Sequence, residues 1–236
     1  PVLTSNAFNI QSDYSDKMTI GGTVNKTFLS LMILVGSAYY SWTYISVTNI
    51  LLLPSVIGAF IVAIITIKKK EWSPITVPIY GVLQGIFLGI VSNLFNTLYD
   101  GIVITAVSYT LCILFALLSV YRLGLIKPTE NFKLGLASAT GGIAIVYLAN
   151  FVMGFFDSGI PLMDVNNSSM YSIGFSVFVI IIAAMNLVVD FDFIEEGAEK
   201  GAPKYMEWFG AFGLMVTLVW LYLEILKLLA KMNSRK

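Results

Sequence analysis

The chain has no histidine, a single cysteine and few charges for its length. Without imidazole, histidine-ligated metal sites and His-dependent catalytic triads are excluded, and carboxylates remain as the groups able to sense mildly acidic pH. The lone Cys112 rules out an intrachain disulfide, and inside its apolar run it reads as a small packing residue. Charged residues make up 12% of the 236 positions, roughly half the share found in ordinary soluble domains. Lys+Arg and Asp+Glu balance at 14 each, so nothing points to nucleic acid. No internal repeat, low-complexity segment or soluble domain of useful size is evident.

What the chain does have is apolar surface. It is 57% hydrophobic with a mean hydropathy of +0.83, which puts an integral membrane protein first among the classes and the lipid bilayer first among its partners. A bilayer core needs about 20 mostly apolar residues per helix. Seven stretches reach that length: 25–45, 49–67, 74–97, 101–121, 132–156, 169–191 and 205–231. Lipid offers the backbone no hydrogen-bond partners, so each stretch is predicted to be a helix. A soluble helical bundle would need polar faces at helical spacing, which these segments lack. The expected fold is therefore all-α and polytopic: a polar tail over 1–24, a seven-helix membrane domain over 25–232 and a basic tail over 233–236. The opening "PVLTSNAFNIQSDYSDKMTIGG" lacks a basic region followed by an apolar core and does not resemble a signal peptide.

Basic residues in short loops set orientation. Lys17 and Lys26, Lys68–Lys70, Arg122 with Lys127 and Lys133, and Lys200 with Lys204 flank alternate connections, whereas the first, third and fifth carry only Asp100, Asp157 and Asp164. The alternation supports an N-in arrangement. Lys227, Lys231, Arg235 and Lys236 then fall on the outer side. Either a re-entrant segment breaks the parity or the last helix tolerates outward basic residues.

In the third span, Gly81, Gly85 and Gly89 recur every four residues on one helix face, a spacing that lets helices approach closely in lipid. "ATGGIA" at 139–144 reads the same way. Tyr39, Tyr40, Trp42 and Tyr44 cluster at the end of the first span as an interfacial belt.

An ionisable residue inside a span is costly enough that function is the default reading. "VVDFDFIEEGAEKG" places Asp190 at the end of the sixth span and Asp192 two residues on, on another helix face; Glu195, Glu196 and Glu199 read as a helix end and solvated loop. Glu224, in "LVWLYLEILKLLAKM", lies deep in the seventh, with Lys227 three residues later as a local ion-pair partner or supporting cation. Lys227 and Lys231 suit snorkelling to the interface. If the last span begins near Phe212, Glu224 comes within reach of Asp190; if it begins at Tyr205, the two stay apart. A desolvated carboxylate pair would share a proton or bind a cation. Ca²⁺ suits hard oxygen ligands, for which Asp190 and Glu224 alone make an incomplete site.

At these residues the sequence resembles the Bax inhibitor-1 family, in its bacterial YccA-like branch. The likeness runs through "NAFN", "MTIGGTVNKT", "GVLQGIFLGIVSNLFN", "YDGIVITAV", "NLVVDFDFIEEGAEKGAPKYMEWFGAFGL" and "LVWLYLEIL". It implies seven helices with the last one central, in a bacterial inner membrane. It also implies a pH-sensitive Ca²⁺ leak gated by two acids, one in each of the last two helices. By motif these fall on Asp190 and Glu224; the family's seventh-helix acid is Asp where this chain has Glu, and in the leak reading Asp192 is a stand-in for the pair or a cation ligand. A second reading is a non-conducting regulator that binds a membrane protein partner such as a membrane-bound AAA protease. An enzyme is the weakest class, because a zinc protease motif needs histidine. No cofactor is expected beyond Ca²⁺ as a transported ion.

Overall fold

The computed structural model describes residues 17–156 and 158–234. The tail before Lys17, Asp157 of the fifth connection, and Arg235 and Lys236 of the basic tail lie outside the described residues. Seven long helices follow one another: α1 Ile20–Thr43, α2 Leu52–Lys68, α3 Ser73–Leu98, α4 Ile102–Arg122, α5 Glu130–Gly154, α6 Met170–Glu199 and α7 Met206–Asn233. Taken with the 3-10 turns Asn49–Leu51 before α2 and Lys70–Trp72 before α3, each is long and apolar enough to cross a membrane. Among the described residues no strand forms; the only extended pairing is a single bridge between Lys17 and Pro203. The last helix buries 72% of its most apolar stretch against 11% for α5. The chain is a multi-pass membrane protein.

The helix ends follow local chemistry. Thr19 caps α1, its hydroxyl accepting from the Gly22 amide at 3.0 Å, so the helix starts at Ile20 rather than at the expected 25. α6 runs to Glu199, beyond the expected end at 191. The acidic stretch after Asp190 continues the helix because Glu and Ala favour it and Glu196 pairs with Lys200 one turn on. Gly201 then ends it, with φ of 64° and the Ala202 amide bonded back to the Gly197 carbonyl at 3.0 Å. Asp190 is thus well inside α6 and not at its edge.

Two compact units divide the described chain: residues up to Val91 with Asp192–Met215, and Ser92–Phe191 with the chain from Val216 onward. In the first unit the α3 glycines pack on α1. A Cβ on Gly85 would lie 2.3 Å from the Leu34 carbonyl oxygen, and one on Gly89 2.2 Å from that of Ala38. Gly81 is looser, at 3.4 Å from the Ser30 oxygen. Ser41 on α1 donates to the Ile86 carbonyl at 2.9 Å, adding a polar link where the backbones approach. Gly141 and Gly142, read from sequence as a similar contact, face open space. Cys112, expected to be packed, is exposed. Its run is apolar because it faces outward in a helix that is only 17% buried over its most apolar stretch.

Within each unit, connections are tied by hydrogen bonds. In the first unit, the Met18 amide donates to the Ala202 carbonyl at 2.7 Å and Ser73 donates to the Tyr205 carbonyl at 2.8 Å. The start of α1 and the second and sixth connections therefore share one end. In the second unit, Lys231 near the end of α7 donates to the Leu162 carbonyl in the fifth connection at 2.8 Å. Many hydroxyls stay within their own helix: Ser108, Ser119 and Ser138, all exposed, donate to the carbonyls of Ile104, Phe115 and Leu134 four residues back.

Candidate functional site

Within the second unit Thr217, Glu224 and Lys231 of α7 align along one face. Seven residues make close to two helical turns, so Thr217, Glu224 and Lys231 stand above one another, each about 10 Å from the next along the axis. Thr217 is buried, Glu224 is 2% exposed and Lys231 is also 2% exposed.

Asp190 meets this face at the level of Thr217. On α6 it follows Ala183 and Leu187, both fully buried, at the spacing of one helix stripe. The residue as a whole is half-buried, and the Thr217 hydroxyl lies beside its carboxylate. Its second oxygen, Oδ2, is sealed from the surface and has no hydrogen-bond partner. Such an orphan anionic oxygen costs more than a paired one.

Glu224 has a different set of partners. Lys227 donates to its Oε1 at 2.9 Å, and the Tyr147 hydroxyl from α5 lies beside it. The Lys227 ammonium also lies over the Tyr147 ring, 4.8 Å from its centre. Among the described residues no hydrogen bond joins Asp190 to Glu224. The two acids stand as successive stations on one face, each with its own neighbours. Asp192 is half-buried, belongs to the first unit and has an interaction of its own. Among the described residues, no three of Asp, Glu, His and Cys gather closely enough to hold a metal ion. Ca²⁺ in a fixed site takes about 6–8 oxygens, so an ion at either acid would need further ligands from backbone or water.

Lys231, expected to snorkel, turns inward instead. Its ammonium donates to the Leu162 carbonyl at 2.8 Å, the Ser176 hydroxyl at 3.0 Å and the Ser172 carbonyl at 3.4 Å. A lysine close to a helix end carries the same sequence signature whether it reaches water or carbonyl groups. Tyr147 gave no signal at all in the sequence. Two further polar links tie this unit: Asn186 donates to Thr140 at 3.0 Å, and Ser92 and Tyr222 share a hydrogen bond of 2.6 Å.

The first unit holds a third buried acid, in the first turn of α7. Glu207 is 1% exposed. Its Oε1 accepts from the Thr19 amide at 3.0 Å, the Thr19 hydroxyl at 2.9 Å and the Lys204 ammonium at 3.0 Å. The carboxylate therefore sits at the start of α1, where the helix dipole favours an anion. Its Oε2 is buried without a partner. The only sequence signal was Lys204 at helical spacing from Glu207, together with the threonine and paired glycines of "MTIGG".

A family model described as Bax inhibitor 1 like matches residues 1–234. Comparison with curated proteins and with solved structures finds no match.

Proposed function

The chain belongs to the Bax inhibitor 1 like family, and from that premise we propose that it is a pH-sensitive Ca²⁺ leak protein of a bacterial inner membrane. Asp190 and Glu224 act on the permeating ion, and no catalytic chemistry is assigned to the chain. The observation that carries the reading is the orphan Oδ2 of Asp190, buried beside the polar face of α7. A carboxylate oxygen without a donor is relieved by taking up either a proton or a cation. A pH-sensitive cation path needs a group that exchanges one for the other. Glu224, two turns further along, is held by Lys227 at 2.9 Å and can offer its oxygen to a cation only as that pair loosens. In this reading Ca²⁺ is cargo passed between two stations rather than chelated by both.

The test is flux into liposomes that contain the purified protein and a trapped Ca²⁺ indicator, across a pH series. Asp190→Asn is expected to pass Ca²⁺ at a rate that no longer follows pH, and Glu224→Gln to change the rate itself. A pH response unaltered in Asp190→Asn would remove the proton-exchange role. Absence of flux in the wild type, with a membrane protein co-purifying at fixed stoichiometry, would instead support the non-conducting regulator, for instance of a membrane-bound AAA protease.

A further inference from the structure

The surroundings of Lys231 are unusual for a lysine in the last turns of a membrane helix. The ammonium is buried, all three of its N–H groups have acceptors, and none of those acceptors is charged. Two are carbonyl oxygens and one is a hydroxyl. The nearby charges, Glu224 and Asp164 attracting and Lys227 repelling, act from beyond this layer. A ring of neutral oxygens around a singly charged centre is how channel proteins replace the hydration shell of a monovalent ion.

The cage is also held without the lysine. The Ser172 hydroxyl donates to the same Leu162 carbonyl at 2.9 Å. Asn167 donates to the Pro161 carbonyl at 2.7 Å, which fixes the turn carrying Leu162. The Ser172 carbonyl belongs to the first turns of α6, and Ser176 follows one turn later. Removing the ammonium would leave these oxygens largely in place. Their distances of 2.8–3.4 Å from the nitrogen suit a large monovalent ion, whereas Ca²⁺ binds oxygen at about 2.3–2.6 Å.

We propose that this oxygen cage is a monovalent-cation site filled by the protein's own ammonium, so that Lys231 is a tethered cation closing the fifth-connection end of the polar face. The closing role rests on the leak reading; the cage as a cation site does not. Lys231 lies two turns beyond Glu224 on the same face, and an ion moving along that face towards the fifth connection meets a site already occupied by positive charge.

The experiment uses the full chain with Lys231→Ala and Lys231→Met. Thermal unfolding in detergent is followed in chlorides of K⁺, NH₄⁺, methylammonium and the bulky N-methyl-D-glucamine at equal ionic strength. The variants are expected to gain several degrees in K⁺, NH₄⁺ or methylammonium over N-methyl-D-glucamine, rising with the logarithm of concentration as a binding linkage requires. Wild type is expected to show the same midpoint in all four. A variant that folds only when a small cation is supplied is the same result in stronger form. A variant that folds and ignores the salt overturns the cage, and so does one that stays unfolded in every salt, since the covalent tether rather than the charge would then be what matters. In liposomes, Lys231→Met is expected to admit Tl⁺ several-fold faster than wild type. If wild type passes Ca²⁺ and the variant's Tl⁺ entry is unchanged, the closing role fails while the leak reading stands. If neither protein passes any ion, the leak reading fails, and the salt-dependent midpoints still decide the cage.

Discussion

Gly22 and Glu207 compete for one volume: a Cβ added to Gly22 would lie 1.9 Å from the Glu207 Oε1. Carboxylate ends usually swing aside, but this one is buried and its Oε1 is held by Thr19 and Lys204. Gly22→Ala is therefore expected to displace Glu207 from the start of α1 and lower stability by about 2–3 kcal/mol, the scale of a lost charge-assisted hydrogen bond. Gly21, where an added Cβ would meet nothing within 4 Å, is the control. Gly21→Ala should be neutral or gain about 0.5–1 kcal/mol, as alanine does in helices. Thermal unfolding of the two variants in one detergent compares them directly, and equal midpoints would dismiss the contact as unimportant.

The glycine face of α3 predicts an ordered series. Gly85→Ala and Gly89→Ala push a methyl group into α1 backbone oxygens and should cost about 1–3 kcal/mol, as overpacking does. Gly81→Ala, with 3.4 Å of clearance, should cost less. Gly141→Ala and Gly142→Ala should cost nothing measurable. Resistance to denaturation in detergent ranks all five, and a uniform loss would mean that the effect lies in glycine flexibility and not in helix contact.

Glu224 and Lys227 differ in burial, with side chains 3% and 35% exposed. Removing one partner of a pair is worst when the other is left buried and charged. Lys227→Met strands the buried carboxylate without its ion-pair partner and should lower stability by about 3 kcal/mol, towards the low end for a broken buried pair. Glu224→Gln leaves a lysine that reaches outward and should be distinctly milder. The double variant should be more stable than Lys227→Met alone. A cycle of four midpoints measures this, with additive effects as the contrary result.

Asp190→Asn should leave thermal stability unchanged or raise it. The substitution removes a charge whose Oδ2 has no donor, and it keeps an oxygen beside the Thr217 hydroxyl. Positions kept for folding rarely improve on losing their charge, so a marked fall in the midpoint would count against Asp190 as a functional group.

The spans were legible because lipid makes a double demand, apolar side chains and a self-bonded backbone, and both leave marks in a linear sequence. Asp190 and Glu224 stood out for the same reason, as charges where charge is costly. Their partners left no such marks. Thr217 and Tyr147 are unremarkable in any membrane helix, and what selects them is the rotation of one helix against another. The end of α6 was misplaced because crossing a membrane and forming a helix are separate conditions: Glu195, Glu196 and Glu199 satisfy the second without the first. Lys231 was misjudged because carbonyl groups can replace water as the destination of a long side chain, and no local pattern tells the two apart.

The hydroxyls of Ser108, Ser119 and Ser138 bear on how any conduction route in this protein is traced. Each looks outward, yet its proton is engaged by its own helix one turn back, so lipid meets little more than a methylene and a screened oxygen. A map drawn from polar residues alone would scatter false pore positions across the periphery. A map restricted to groups that bond across helices discards them and, in the second unit, keeps Asn186 with Thr140, Ser92 with Tyr222, and Lys231 with Ser172 and Ser176.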